Sequence, residues 1–181
     1  LTAMVGVAGL PGGIAVAQET PRIPDLSTSQ RSQMMAGEVL VETTRANRSP
    51  TGLNRGESMG FVCDAPIEEL WEIATDFENH DEWFPDMEEA VIVDRGERIG
   101  QGRTHMPWPL ADRQWRIRAE AEEQTLDGRR AYVMTYDHVP DYGNMNDLHG
   151  YWILAQWDDD CVLVRYVINA DIGMALPNAV I

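Results

Sequence analysis

Hydrophobic residues between positions 64 and 87 recur at the spacing of an α-helix. Each apolar position has another one three or four residues away, and these positions are Ile67, Leu70, Trp71, Ala74 and Phe77. This spacing places them on one face of a helix rather than in a strand. Asp64 suits the N-cap and Pro66 the first turn, and the acidic residues that follow favour the positive end of the helix dipole. The pattern weakens after Phe77, and Pro85 forbids simple continuation, so we predict a helix and then a second, short one.

The remainder of the chain from residue 38 shows the two-residue period and turn signals of strands. Two pieces, 38–44 and 58–63, precede the helix, and the turn-rich residues between them suggest one interrupted or bulged strand. Six strand-like runs follow the helix, at 89–94, 102–108, 113–122, 131–139, 150–157 and 161–170. We therefore predict an α+β fold: a curved antiparallel sheet of about seven strands, with two short helices after the first strand.

The two ends of the chain carry different patterns. Residues 4–17 have no charge and end in Ala-Val-Ala, which matches a signal-peptidase site. We interpret 1–17 as the remnant of a secretory signal peptide and expect an exported protein, periplasmic or secreted. Residues 18–36 are polar without a sustained period and are interpreted as a linker. The final ALPNAVI predicts the first residues of another helix, so that the domain runs from 37 to 181 with an incomplete C-terminal helix.

The amino-acid composition limits the classes of partner that this single domain of 181 residues is expected to bind. Acidic residues outnumber basic ones by 30 to 14, which gives a net charge of −16. Affinity for nucleic acid comes mainly from basic side chains that neutralise phosphates, so no nucleic-acid partner is expected. The acidic surface also disfavours docking on anionic lipids. No stretch is apolar enough for a transmembrane segment.

Four motifs in order resemble a known superfamily. They are DAPIEELWEIATDFENHDEWFPDM, PWPLADRQW, HGYWIL and the closing ALPNAVI. Together they resemble the START-like superfamily, also called SRPBCC, and within it the polyketide cyclase and coenzyme Q-binding branch. The resemblance covers residues 37–181 and implies a helix-grip fold whose C-terminal helix forms one wall of a cavity. It further implies that the cavity binds a lipid, sterol, quinone or polyketide-like molecule.

The aromatic and apolar residues of the predicted strands are the candidate ligand contacts. Arg103, Arg118 and Arg165 are expected to face water, which turns their sequence neighbours toward the interior. Large aromatic side chains with polar tips suit a pocket for a hydrophobic molecule, although ordinary core packing explains any single one of them equally well. The candidates are Trp83, Phe84, Met106, Trp108, Trp115, Ile117, Met134, Tyr136, His138, Trp152, Leu154, Val164 and Tyr166.

Recognisable catalytic motifs are missing from the sequence. The four histidines lack metal-ligand spacing, and neither a serine nucleophile elbow nor a phosphate-binding loop is present, so no metal or cofactor is expected. We therefore predict a non-catalytic carrier or sensor that can contact a membrane transiently to exchange cargo. The alternative is a cyclase or aromatase that uses His138 or Tyr136 as acid or base. Asp112 and Arg113 are expected to form a salt-bridged corner, or else to anchor a ligand headgroup. The oligomeric state is left open.

The resemblance also bears on the two cysteines. In a helix grip the first and last strands pair, which would bring Cys63 close to Cys161 and make a disulfide possible in an oxidising compartment. Strand parity argues against the pair, because Cys63 follows Phe61 on an expected inward face while Cys161 shares the face of Arg165.

Overall fold

The computed structural model describes residues 19–45 and 54–173. Three helical segments occur there: α1 (Thr28–Met35), α2 (Ile67–Thr75) and a 3₁₀ helix (Phe77–Glu82). The strands are β1 (Leu40–Arg45), β2 (Asn54–Cys63), β3 (Met87–Asp94), β4 (Ile99–Thr104), β5 (Arg113–Leu126), β6 (Arg129–His138), β7 (Asp147–Gln156) and β8 (Cys161–Asp171). They form one antiparallel sheet in the order β1-β2-β8-β7-β6-β5-β4-β3. The expected signal remnant and the start of a C-terminal helix lie outside the described residues.

The sheet has eight strands rather than about seven, because the predicted first strand is two strands. β1 and β2 lie side by side and antiparallel, with Leu40 opposite Met59. The chain therefore reverses direction between 45 and 54, where the sequence had suggested an interruption within one strand. The α+β character, the antiparallel sheet and the two short helices before β3 are confirmed.

Helix α2 begins two residues later than the sequence predicted. Pro66 occupies the N-cap position, while Asp64 has a positive φ of 60° and donates its backbone N–H to the Asp160 carbonyl oxygen at 2.9 Å. The predicted apolar face is correct: Ile67 and Ala74 are buried against β7 and β8. α2 thus covers one end of one sheet face, which we call the cavity face.

The opposite face, which we call the outer face, is covered by residues 19–36, so this segment is not the open linker that was predicted. Ser27 caps α1 reciprocally with Gln30, each backbone N–H donating to the other's side-chain oxygen. Leu26 and Met34 are buried in a cluster that also contains Ala131, Val133, Tyr151, Ile153, Ala155, Leu163 and Val167. Two inward apolar residues eight positions apart are too few to show a period in the sequence.

Arg165 lies on the outer face but does not face water, contrary to the prediction. Only 3% of the residue is exposed, because the N-terminal segment covers it. Its Nε donates to Glu57 Oε1 and its Nη1 to the Arg22 carbonyl oxygen, both at 2.7 Å. Burial alone would raise the pKa of the Glu57 carboxyl, but hydrogen bonds from Arg165 and Arg55 outweigh burial and hold that pKa below its usual value. A buried charge is thus compensated by partners from a distant part of the chain.

Cys63 and Cys161 form a disulfide between the end of β2 and the start of β8. They are directly opposite in the strand register, and so they share one face of the sheet. The parity objection was wrong because Phe61 packs against the outer cluster rather than facing the cavity. Both faces of β2 are partly covered, so the residue pattern of this strand does not show which face is inward.

Candidate ligand cavity

A cavity of about 460 Å³ lies between the cavity face of the sheet, the 3₁₀ helix and the hairpin of β3 and β4. This volume is within the range that proteins use for small-molecule sites. The walls are mostly apolar and aromatic, with contributions from β3 to β8 and from the segment after α2.

Eight of the candidate residues line this cavity. They are Phe84, Met106, Trp115, Ile117, Met134, Tyr136, Trp152 and Tyr166. The strand members share a face because side chains alternate along a strand, and the register places Tyr166 directly opposite Trp152. Four strands and two loops therefore contribute side chains to one space.

The other five candidates lie outside the lining. Leu154 and Val164 pack in the cluster beneath α2. Trp83 is 42% exposed beside Phe84, and Trp108 is 92% exposed in the loop between β4 and β5. His138 ends β6, and its buried Nε2 has no hydrogen-bond partner. Whether any of the candidates touches a ligand stays a prediction.

Four aromatic rings in mutual contact form the wall made by β6, β7, β8 and the segment after the 3₁₀ helix. Phe84 meets Tyr166 edge-on at a centroid distance of 5.6 Å, and Tyr166 packs on Trp152 at 4.4 Å. The Tyr136 hydroxyl lies 3.2 Å from the Tyr166 hydroxyl and also 3.2 Å from the Val167 carbonyl oxygen, to which it donates. Burial raises the pKa of Tyr166 to about 12 and that of Tyr136 well above its usual value, so both phenols are neutral at physiological pH.

His80 is a cavity residue that the sequence analysis did not select. Its Nε2 lies 3.1 Å from the Ala74 carbonyl oxygen, which can only accept, so this nitrogen carries the proton. Burial lowers the pKa of His80, which keeps the ring neutral and leaves Nδ1 as an acceptor. The ring packs between Phe77 and Trp83, at centroid distances of 5.3 and 4.8 Å. Continuing the three-residue step of α2 beyond Phe77 would have found it.

Asp112 and Arg113 have separate roles. Asp112 accepts a hydrogen bond from the Met106 N–H at 3.2 Å and fixes the corner between β4 and β5. Arg113 is buried, lines the cavity, and donates from Nη1 to the Ala111 carbonyl oxygen at 2.8 Å. The corner and the cavity wall are thus built from adjacent residues.

A surface cluster beside this corner brings together ligand atoms that could hold a metal. The atoms of Glu88, His105 and Asp112 lie within 4.8 Å of one another. However, the Arg103 guanidinium lies 3.2 Å from Glu88 and 4.0 Å from Asp112. Because a cation already compensates these carboxylates, the geometry fits an exposed ion-pair cluster better than a metal centre. His105 is exposed, which also fits a surface cluster.

Among the described residues, no helix has both the length and the apolarity needed to cross a membrane.

Two helical segments that close one face of an antiparallel sheet over an apolar cavity define a helix-grip, START-like domain. The chain belongs to the family of polyketide cyclases/dehydrases and lipid transport proteins, whose sequence pattern matches residues 63–181. No functionally curated protein matches it significantly.

Solved structures with the same fold come from proteins of different activities. A STAR-related lipid transfer protein from Xanthomonas axonopodis is 23% identical, with a TM-score of 0.60 over 77% of this chain and 80% of that one. Human StAR-related lipid transfer protein 5 is 14% identical, with a TM-score of 0.60 over 78% and 72%. The Zhui aromatase/cyclase from Streptomyces sp. R1128 is 18% identical, with a TM-score of 0.50 over 70% and 72%. At these identities the likeness concerns the fold.

Proposed function

We propose that this protein binds a small hydrophobic molecule, such as a lipid, quinone, sterol or polyketide-like compound, as a non-catalytic carrier or sensor. The observation that carries the proposal is the cavity of about 460 Å³ with its apolar and aromatic walls. Burial of apolar surface contributes about 25 cal/mol per Å², so such walls favour a hydrophobic occupant.

The chemistry of the lining supports a carrier over an enzyme. The two phenols in the wall are neutral, and no Asp or Glu lines the cavity in the part of the chain that the structure describes. Of the two residues that the cyclase alternative names as acid or base, Tyr136 lines the cavity and His138 lies outside the lining. A general base must lie within hydrogen-bond distance of the proton that it removes. His138 does not line the part of the cavity wall that the structure describes.

The proposal is tested on the full chain by native mass spectrometry and organic extraction of the purified protein, followed by titration with the neutral dye Nile red. We expect a co-purifying hydrophobic molecule and saturable dye binding. Phe84→Ala should weaken dye binding about tenfold because one ring leaves the wall. Trp83→Ala, its half-exposed neighbour, is the matched control and should change binding less than twofold. A protein that never takes up any hydrophobic molecule overturns the proposal.

The alternative function is that of a cyclase or aromatase, and His80 is the observation that favours it. A neutral imidazole with an unprotonated Nδ1 is a competent general base, and it lines the same cavity as two tyrosine hydroxyls. Incubation with a linear poly-β-ketone thioester would then give a cyclised product by loss of water, and His80→Gln would abolish it. Recovery of unchanged thioester favours the carrier.

We also propose that the protein acts outside the cytoplasm. The uncharged stretch 4–17 with its Ala-Val-Ala end and the Cys63–Cys161 disulfide support export, because disulfides persist in oxidising compartments. Expression of the complete gene with a C-terminal tag should yield an exported protein whose N-terminus is Gln18. A tagged protein that stays in the cytoplasm uncleaved contradicts export.

Transient contact with a membrane during cargo exchange is supported by Trp108. Its exposed indole lies two residues after Met106, which lines the cavity. Indole rings favour the interface between water and lipid headgroups. Flotation with phosphatidylcholine vesicles should recover the wild-type protein and less of a Trp108→Ser variant.

A further inference from the structure

The charged residues of the cavity are all of one sign. The whole chain has 30 acidic and 14 basic residues, and every basic residue is arginine. Nevertheless, the described part of the cavity lining contains Arg95, Arg98 and Arg113 and no carboxylate. In a protein with twice as many acids as bases, this inversion sets the cavity apart from the rest of the molecule.

Arg98 is the one of the three whose charge is left without a partner. It lies in the turn between β3 and β4 and makes no side-chain hydrogen bond or ion pair with any residue that the structure describes. By contrast, Arg95 pairs with Glu78 at 2.6 Å, and Arg113 donates to the Ala111 carbonyl oxygen at 2.8 Å. A guanidinium is a fixed positive charge whose donors match carboxylate and phosphate geometry.

The cavity extends from this turn along β4 to the corner before β5. Arg98 and Thr104, which both line it, are six residues apart on an extended strand, or about 20 Å. Between them the walls are apolar and include Ile99, Ile117 and Met134. One end of the cavity therefore carries free positive charge, and its body carries hydrocarbon surface.

We propose that the ligand is an anionic amphiphile, whose carboxylate or phosphate group pairs with Arg98 while its hydrocarbon part lies along β4 and β5 toward Met106. This inference rests on the proposed binding of a hydrophobic molecule and adds that the ligand has a negatively charged headgroup. Arg95 lies at the same end of the cavity, but Glu78 compensates its charge, so Arg98 is the residue expected to pair with the headgroup. The net charge of −16 repels anions from the rest of the surface, so a bound anion is expected at this end of the cavity.

The test compares three probes of equal chain length, palmitate, hexadecyl phosphate and hexadecanol, by isothermal titration against the full chain. We expect one or both anions to bind about three- to fivefold more tightly than the alcohol, as one exposed ion pair provides. The palmitate and phosphate arms show which acid is preferred. Arg98→Gln should remove the preference and leave the affinity for hexadecanol unchanged.

Arg118→Gln is the matched control. Arg118 lies on β5, outside the cavity lining, and pairs with Glu97 at 3.4 Å. The Arg118→Gln substitution removes the same charge from the same region, and the variant should keep the preference for anions. Equal affinity for all three probes, or a preference that survives Arg98→Gln, overturns the anionic headgroup but not the hydrophobic site. If none of the probes binds, the proposed function fails as well.

Discussion

At the scale of single residues, glycines of the sheet decide where the aromatic rings of the cavity fit. A Cβ atom on Gly100 would lie 2.7 Å from the Phe77 ring, and one on Gly102 would lie 2.5 Å from the Trp115 ring. Real Cβ atoms do not approach so closely, so each ring uses the space that a missing side chain leaves. The sequence showed these glycines only as residues of a weak strand, since the rings that need them are distant along the chain.

At Gly150 an added side chain is expected to lower the stability of the fold. A Cβ there would overlap the Val167 carbonyl oxygen of the neighbouring strand and would lie 2.6 Å from the Tyr136 hydroxyl oxygen. Gly150→Ala should therefore lower the free energy of unfolding by about 3 kcal/mol, because backbone and ring cannot both move aside. Urea denaturation measures this change.

Gly60→Ala is its control in the same sheet, because the nearest atom to its Cβ is 3.6 Å away on Val39. That variant should stay within about 0.5 kcal/mol of the wild type. Equal effects at the two positions would contradict the packing described around Gly150.

At the scale of elements, the sequence predicted those whose two faces differ. In β5, Trp115 and Ile117 are buried while Arg118 is exposed, and the alternation in the sequence placed them correctly. In β8, by contrast, both faces are covered, so Arg165 was mistaken for a surface residue, and in the neighbouring β2 Cys63 was assigned to the wrong face. Alternation reports burial on one face only, and it cannot reveal that a distant segment covers the other.

Helix α1 is the covering element, and Met34 is its anchor. This residue is 1% exposed and contacts the outer cluster, whereas Met35 beside it is 55% exposed. Met34→Ala should lower the free energy of unfolding by about 2–4 kcal/mol, because it removes buried methylene groups and leaves a cavity. Met35→Ala should change it by less than about 0.5 kcal/mol. Thermal or urea denaturation of both variants measures the difference, and equal stabilities would mean that α1 does not pack as described.

The disulfide joins elements that are 98 residues apart in sequence. Closing a loop of this length restricts the unfolded chain, so the double substitution Cys63→Ser, Cys161→Ser should lower the free energy of unfolding by about 2–4 kcal/mol. Ligand affinity should not change, since both cysteines lie on the outer face. Intact mass before and after reduction establishes the bond in the exported protein, and an unchanged mass would refute it.

At the scale of the whole molecule, acidification has two opposing effects. It reduces the repulsion within a chain of net charge −16, which stabilises the fold. It also drives protonation of the buried His80 ring, which destabilises the fold. Burial lowers the pKa of His80 in the folded protein below the 6.5 of an exposed histidine. Stability from this residue is therefore complete above pH 6.5 and is lost as the pH falls from 6.5 toward the lower folded value.

Comparison with His80→Gln separates the two effects, because the charge of the rest of the chain is unchanged. Between pH 7.5 and 5.5 the urea midpoint of the wild type should fall relative to that of the variant. Parallel midpoints across this range would show that the imidazole is not protected from protons in the fold.

The cluster beneath α1 has one more consequence for the molecule. The nine buried residues of this cluster lie on the outer face, so a large part of the hydrophobic core is separate from the cavity walls. We therefore expect substitutions in the cavity walls to change which molecule is accepted while this outer part of the core keeps its packing. One face of the sheet thus contributes mainly to stability and the other to ligand specificity, so that specificity can change while the fold is kept.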